Sequence, residues 1–213
     1  MRAEPTRSRS RDGANDMSDA LQVKGFAWLN LLRFVEETHG RSAATELASG
    51  FPQHRVHFDT ASVLPIGWVP GALHLGAIDW VVKRFYEGTS EGARRFGKNL
   101  AARNVSSTFT SFARLEDLKV ALTSTERAFS QFYSRGTMKF TLTNDLLEAR
   151  LTQFPDAFPI FGNVLGAGLI SFLHAGHVEA TLLDVQTTND TIVYRVKLVL
   201  PSSSRASPLP LSK

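Results

Sequence analysis

The sequence predicts an α+β domain in which several N-terminal helices precede a β-β-α-β-β unit with one four-stranded antiparallel sheet. Three observations in the last third of the chain support this fold class. Residues 137–152 and 178–200 each alternate apolar and polar side chains about a short turn, which is typical of β-hairpins. Residues 159–174 lie between them and are apolar, with three glycines, but the run is too short to span a membrane. It is therefore predicted to be a buried core helix.

The turn at Asn144 and Asp145 fixes the predicted pairing of the first hairpin, because a two-residue turn sets the register of the strands it joins. The six apolar side chains of the opposing pairs then share one face, as the pleat of a strand requires. This face is expected to pack on helices. The opposing pairs are Leu142 with Leu147, Phe140 with Ala149, and Met138 with Leu151.

The second hairpin turns at residues 188–190, and its pairing follows if Thr187 lies opposite Thr191. In this register Asp184 lies on the apolar face opposite Tyr194, where a buried carboxylate would need a partner. The apolar faces of both hairpins together predict a single sheet covered by helices. The other opposing pairs are Leu182 with Val196, Ala180 with Leu198, and Val178 with Leu200.

The first half of the chain is predicted to be mostly helical, because its apolar residues recur at helical spacing. Residues 51–68 lose that periodicity and contain two prolines, which indicates a loop or a short pair of strands. Gly40 and Gly50 end the first two helices, and Pro70 begins the third. The predicted helices span residues 21–39, 42–49, 70–88, 90–112 and 115–133. In the fourth, Phe96, Leu100 and Val105 are expected to face inward, and Arg94, Arg95, Lys98 and Arg103 outward.

The composition is that of an ordinary globular protein. At 213 residues, 43% hydrophobic and 21% charged, the chain can bury the core of one domain, predicted at residues 19–200. Residues 1–18 and 201–213 have no apolar run and are predicted to be disordered tails, with translation starting at Met1 or Met17. There is no secretory signal and no cysteine, so we expect a cytoplasmic protein.

One motif comes close to a nucleotide-binding loop. Residues 92–99 match G-x-x-x-x-G-K-[ST] except at the last position, where Asn99 replaces the hydroxyl that would bind Mg²⁺. The motif also falls on an amphipathic helix rather than after a buried strand. We therefore interpret it as a basic helix surface and reject nucleotide hydrolysis.

Two clusters combine histidines with a carboxylate, but spacing alone is weak evidence for a metal. We interpret His174 as interacting with the carbonyl groups at the end of its helix, and His177 as a loop residue. Paired carboxylates at 36–37 and 116–117 are interpreted as solvated helix surface. We therefore predict no metal, no cofactor and no catalytic set. The two clusters are His54, His57 and Asp59, and His174, His177 and Glu179.

The apolar helix combines small residues with a surplus of large ones. Gly162 and Gly166 share a face, so another backbone can approach closely there. We favour close packing on the sheet over a ligand-admitting groove. The large side chains are spread around the helical wheel and cannot all face one sheet, so a homodimer or another protein partner on the helical side is predicted. They are Phe161, Leu165, Ile170 and Phe172.

A glycine-containing helix between two hairpins, after several helices, resembles the 4-vinyl-reductase-like ligand-binding domain. This fold is shared with haem-nitric-oxide-binding domains and with the small trafficking subunits of the Golgi tethering complex. Residues 23–40 (VKGFAWLNLLRFVEETHG), and residues from 102 (ARNVSSTF) through 136 (FYSRG), more closely resemble a family of uncharacterised paralogous proteins of myxobacteria. The resemblance covers residues 23–200 and implies a regulatory module that binds a ligand or dimerises.

The chain departs from these relatives where they hold metals. The vinyl-reductase-like domains often carry cysteines in the last hairpin, and residues 183–199 contain none. The haem-binding relatives use a Y-x-S-x-R clamp for the propionates, whereas Tyr133, Ser134 and Arg135 are contiguous here, and residues 115–133 contain no histidine. The resemblance therefore implies neither haem nor a cysteine-bound metal.

The sequence thus predicts a non-enzymatic regulatory or sensory module that binds a small apolar ligand, dimerises, or does both. The alternative is a nucleic-acid-binding protein, for which a net charge of +4 is modest. Its basic helical patch would comprise Lys83, Arg84, Arg94, Arg95, Lys98 and Arg103. The candidate residues of a ligand pocket are Trp68, Phe112, Phe132, Tyr133, Phe140, Gly162, Gly166, Asp184 and Tyr194.

Overall fold

The order of helices and strands confirms the predicted α+β class. The computed structural model describes residues 20–107, 118–154 and 159–199. The predicted tails lie outside these ranges. The first half comprises β1 (Gln22–Lys24), α1 (Gly25–His39), α2 (Arg41–Ser49), a 3-10 helix (Pro52–Phe58), β2 (Trp68–Pro70), α3 (Gly71–Phe85), α4 (Ser90–Ser107) and α5 (Leu118–Phe132). The second half comprises β3 (Thr137–Thr143), β4 (Leu146–Thr152), α6 (Pro159–Ala175), β5 (Glu179–Thr187) and β6 (Ile192–Val199).

The first predicted helix begins four residues too early. Residues Gln22–Lys24 form a strand that pairs antiparallel with Trp68–Pro70, and the helix begins only at Gly25. The local sequence is compatible with a helix, but hydrogen bonds to a segment more than forty residues away decide the outcome. For the same reason Pro70 ends a strand, and the third helix begins at Gly71 rather than at the proline.

The four main strands form one antiparallel sheet, as predicted, and their order in the sheet is β3-β4-β6-β5. The register of the β3–β4 hairpin is also confirmed, with Met138 opposite Leu151 and Leu142 opposite Leu147. Asn144 adopts a φ of 56° at the turn, a left-handed conformation that asparagine tolerates well. The two-residue turn therefore sets the register as its length requires.

The predicted register of the second hairpin is wrong in the half nearest its turn. Pairing follows the prediction from Ala180 to Leu182, and then a bulge at Leu183 shifts the register by one residue. Asp184 consequently lies opposite Arg195 rather than Tyr194. Its side chain is 43% exposed and its carboxylate is 3.7 Å from the guanidinium of Arg195. Asp184 is therefore a surface residue and needs no buried partner.

The glycines of α6 bring this helix into close contact with the sheet. A Cβ atom at Gly162 would lie 3.0 Å from Oγ1 of Thr187, and one at Gly166 would lie 3.1 Å from the ring of Tyr194. The predicted close packing of these two positions on the sheet is confirmed. The helix also packs extensively on α4. No helix in the described part of the chain is long and apolar enough to cross a membrane.

Candidate functional site: an apolar cavity

A partly enclosed cavity of about 230 Å³ lies between the helices and the sheet. It is lined from α1, α3, α4, α5, α6 and two strands, so every layer of the fold contributes to its wall. The described residues of the wall are almost all apolar. They are Phe26, Ala27, His74, Ile78, Gly97, Leu100, Ala101, Thr125, Phe129, Phe132, Tyr133, Met138, Phe140, Phe161, Val164, Leu165, Gly168, Leu169, Phe172 and Tyr194.

His74 is the histidine of this wall, and the sequence interpretation missed it. Its side chain is only 4% exposed, and Nδ1 has no hydrogen-bond partner in the described ranges of the chain. Burial lowers the pKa of His74 to about 4, so the ring is neutral at pH 7. The signal was present in the sequence, since His74 stands four residues before Ile78 and so shares the buried face of α3.

Two tyrosines add hydroxyl groups to the wall. Tyr194 in β6 is 1% exposed, and its hydroxyl has no partner within the described residues. Burial raises the pKa of Tyr133 and of Tyr194, so both phenols keep their protons. Tyr133 follows α5 and is held beside β1, because it forms a β-bridge with Val23 and the next amide donates to the carbonyl of Gln22.

Phe140 reaches the cavity from β3, the edge strand of the sheet. Its amide N–H donates to Oε1 of Glu126 in α5, at 2.8 Å. The other carboxylate oxygen of Glu126 is 3.1 Å from Nζ of Lys139. Helix α5 therefore covers the edge strand and brings its own aromatic residues, Phe129 and Phe132, to the same cavity.

The structure brings only some of the predicted pocket residues together. Trp68 is 42% exposed, and Nζ of Lys24 lies 3.7 Å from its ring centroid. It faces away because Val69, its neighbour in β2, takes the buried side of the strand. Phe112 lies outside the described residues. Those that line the cavity are Phe132, Tyr133, Phe140 and Tyr194, whereas Gly162, Gly166 and Asp184 lie elsewhere.

Neither histidine cluster forms a metal centre in the described part of the chain, where no group of three or more suitable ligands converges. The rings of His54 and His57 are 6.1 Å apart. The prediction that His174 interacts with the carbonyls at the end of its own helix differs from the contact that the structure shows. Nε2 of His174 lies 3.0 Å from the carbonyl oxygen of Ala180 in β5, which fastens the end of α6 to the sheet.

The basic patch on α3 and α4 is largely neutralised by acidic neighbours. Five of its six residues form ion pairs. Arg94 also reaches inward, where its Nε donates to Oδ1 of Asn163 at 2.8 Å, so it is not simply outward-facing. The pairs are Lys83 with Asp79, Arg84 with Glu46, Arg94 with Glu91, Arg95 with Glu87, and Arg103 with Glu37.

The fold is similar to that of solved H-NOX domains. An Fe(II) unliganded H-NOX protein from K. algicida has a TM-score of 0.58 at 11% identity, covering 84% of this chain and 98% of that chain. A Tt H-NOX variant has a TM-score of 0.60 at 11% identity, with 84% and 96% covered. An H-NOX structure determined to probe haem distortion has a TM-score of 0.58 at 11% identity, with 84% and 96% covered.

At this level of identity the similarity establishes the fold alone. No protein-family profile matches the sequence, and no curated protein matches it either. The predicted resemblance to haem-nitric-oxide-binding domains is thus supported as a likeness of fold. The closer resemblance to a myxobacterial family stays a prediction.

Proposed function

We propose that the chain is a non-enzymatic regulatory or sensory module that binds a small, mostly apolar molecule in the cavity between its helices and its sheet. The observation that carries this proposal is the cavity itself, walled almost entirely by apolar side chains from every layer of the fold. Small-molecule sites are typically concave and apolar, with a few polar groups that orient the ligand. The H-NOX-like fold supports a sensory role. We also propose that the protein is cytoplasmic.

The volume of the cavity sets the size of the ligand. An apolar cavity of roughly 150 Å³ in a protein core holds one benzene molecule. On that scale, 230 Å³ accommodates a molecule of about ten non-hydrogen atoms. This is smaller than most drug-like ligands and corresponds to a single substituted ring or a short chain.

Haem is the cofactor to test against this cavity, because a neighbouring structure concerns haem distortion. The described residues do not fit it. A porphyrin is larger than the molecule of about ten non-hydrogen atoms that the cavity accommodates. Its two propionates would be charged, and the described wall contains no arginine or lysine to pair with them. We therefore derive no role for haem in this chain.

The nucleic-acid alternative is the weaker proposal. Binding to a nucleic acid needs basic side chains that are free to pair with its phosphate groups. Five of the six basic residues of the patch already have a carboxylate within ion-pair distance. Binding a duplex would require these pairs to break. Salt-sensitive retardation of random duplex DNA in a gel would favour this alternative over ours.

Homodimerisation through the helical side is a second part of the proposal. Of the four large side chains of α6, Phe161 is fully buried and the other three are half-buried. Leu165 and Phe172 face the cavity, so Ile170 is the residue that a partner would cover. Sedimentation as a strict monomer at micromolar concentration would contradict this part alone.

The ligand proposal is tested by filling the cavity. Ala101 lines the cavity, while Ala102 is the next residue of the same helix and is exposed. We expect methylcyclohexane and cyclohexanone to raise the melting temperature of the wild type and of Ala102→Leu, since a ligand that binds only the folded state stabilises it. Ala101→Leu should lose this response. The proposal is overturned if neither compound acts on the wild type, or if both variants respond equally.

A further inference from the structure

The wall of the cavity contains two buried polar atoms that have no partner among the residues the structure describes. They are Nδ1 of His74 and the hydroxyl oxygen of Tyr194. Buried polar atoms are nearly always hydrogen-bonded in native proteins, because an unmade hydrogen bond costs free energy. Both atoms belong to side chains that line the same cavity, one on α3 and the other on β6. A ligand in the cavity is the natural source of the missing partner.

The described part of the same wall is neutral. The described residues that line it include no aspartate, glutamate, lysine or arginine. Burial lowers the pKa of His74 and raises that of Tyr194, so neither side chain is ionised at pH 7. A charged ligand would therefore lose its hydration without gaining a counter-charge, which is strongly unfavourable.

We propose that the ligand is an uncharged molecule with an apolar ring or chain and one neutral oxygen, a hydroxyl or a carbonyl, which hydrogen-bonds to the hydroxyl of Tyr194 or to the ring of His74. This inference rests on the proposed ligand-binding function and specifies its chemistry. The tyrosine hydroxyl donates to either kind of oxygen. A neutral imidazole offers one donor and one acceptor, so it can also accept a hydrogen bond from a hydroxyl ligand. Tyr133 brings a further hydroxyl to the same wall.

The inference is tested with ring compounds of similar size and different polarity. The probes are methylcyclohexane, cyclohexanol, cyclohexanone, cyclohexanecarboxylate and cyclohexylammonium, and the readout is the dissociation constant by calorimetry at pH 7. We expect the two ions to bind at least about a hundredfold more weakly than cyclohexanol. Because the hydrophobic effect differs among the neutral probes, their affinities are compared between protein variants rather than with one another.

Tyr194→Phe removes the unpaired hydroxyl and keeps the ring. We expect this variant to bind cyclohexanol and cyclohexanone about tenfold more weakly than the wild type, with the affinity for methylcyclohexane unchanged. Tyr86→Phe is the matched control, because Tyr86 is buried but does not line the cavity. His74→Leu is the second variant, and it replaces Tyr194→Phe if that variant does not fold. We expect it to show the same selective loss of affinity for cyclohexanol and cyclohexanone.

The outcomes separate this inference from the function on which it rests. If methylcyclohexane binds but neither variant distinguishes it from cyclohexanol, the cavity is a ligand site and the oxygen-binding inference is overturned. Ions that bind as tightly as cyclohexanol overturn it as well. If none of the neutral probes binds the wild type, the proposed ligand-binding function itself fails.

Discussion

Gly97 in α4 and Val164 in α6 meet backbone to backbone. A Cβ atom at Gly97 would lie 2.3 Å from the carbonyl oxygen of Val164 and 2.8 Å from its Cα. No side chain can rotate away to relieve such an overlap, since the atoms belong to the main chain. Both residues also line the cavity, so this crossing fixes the separation of two of its walls.

We expect Gly97→Ala to lower the free energy of unfolding by about 2–3 kcal/mol, because the added methyl group must push the two helices apart. Gly168→Ala is the control. It also lines the cavity, but the nearest atom to its added Cβ would be the Cβ of Ala101 at 4.0 Å. Alanine favours a helix over glycine, so this variant should gain up to about 1 kcal/mol. Urea denaturation measures the free energy of unfolding of both variants. Equal changes in the two would contradict the prediction that the backbone contact at Gly97 excludes a side chain.

The two hairpins show which parts of the fold were accessible from the sequence. The turn at Asn144 has two residues, and its register followed correctly from that length. The second hairpin contains a bulge at Leu183, which inserts one residue into an otherwise regular alternation. Leu182 and Leu183 are the same residue type, so the pattern does not show which one leaves the pairing. Asp184 was misplaced for this reason.

The candidate site was predictable where side chains belong to predicted elements. Phe132, Tyr133, Phe140 and Tyr194 were predicted and line the cavity. The predicted registers had placed Phe140 and Tyr194 on the apolar faces of their hairpins. His74 shares the buried face of α3 with Ile78, but it was missed because a single histidine lacks the spacing by which ligand clusters are recognised in a sequence. Trp68 was misassigned because the pairing of β1 with β2 depends on contacts that are distant in sequence.

Tyr194→Phe should stabilise the unliganded protein. In the wild type the buried hydroxyl of Tyr194 has no partner within the described residues, so folding removes it from water without replacement. Removing the oxygen while keeping the ring should raise the free energy of unfolding by about 1 kcal/mol. Chemical denaturation without ligand measures this change, with Tyr86→Phe as the matched control. If Tyr194→Phe instead lowers the free energy of unfolding by more than about 1 kcal/mol, the hydroxyl is hydrogen-bonded in the unliganded protein and the prediction is wrong.

Stability should fall as the pH drops from about 6.5 towards 4. Burial lowers the pKa of His74 from 6.5 to about 4 in the folded state. In this interval the unfolded chain binds a proton that the folded chain does not, so lowering the pH favours unfolding. The contribution of neutral His74 to the free energy of unfolding is fully present above pH 6.5, and about 3 kcal/mol of it is lost by pH 4.

The contribution of His74 is isolated by comparing the wild type with His74→Leu. Burial also lowers the pKa of His39 and of His57, so both proteins should lose stability in acid. Only the difference in slope between them reports on His74. We expect urea denaturation at pH 7 and pH 5 to show a shallower slope for the variant. Parallel slopes would contradict a neutral, buried His74.

The last prediction concerns the polar link between α4 and α6. Asn163 is a buried polar residue whose Oδ1 accepts from Nε of Arg94 and whose Nδ2 donates to the carbonyl of Pro159, both at 2.8 Å. Asn163→Ala removes both bonds and should cost about 1–3 kcal/mol, because the groups left behind are partly buried. Arg95→Ala breaks only the exposed ion pair with Glu87 and should cost under about 1 kcal/mol. Denaturation midpoints compare the two, and similar costs would mean that the link adds no more than a surface contact.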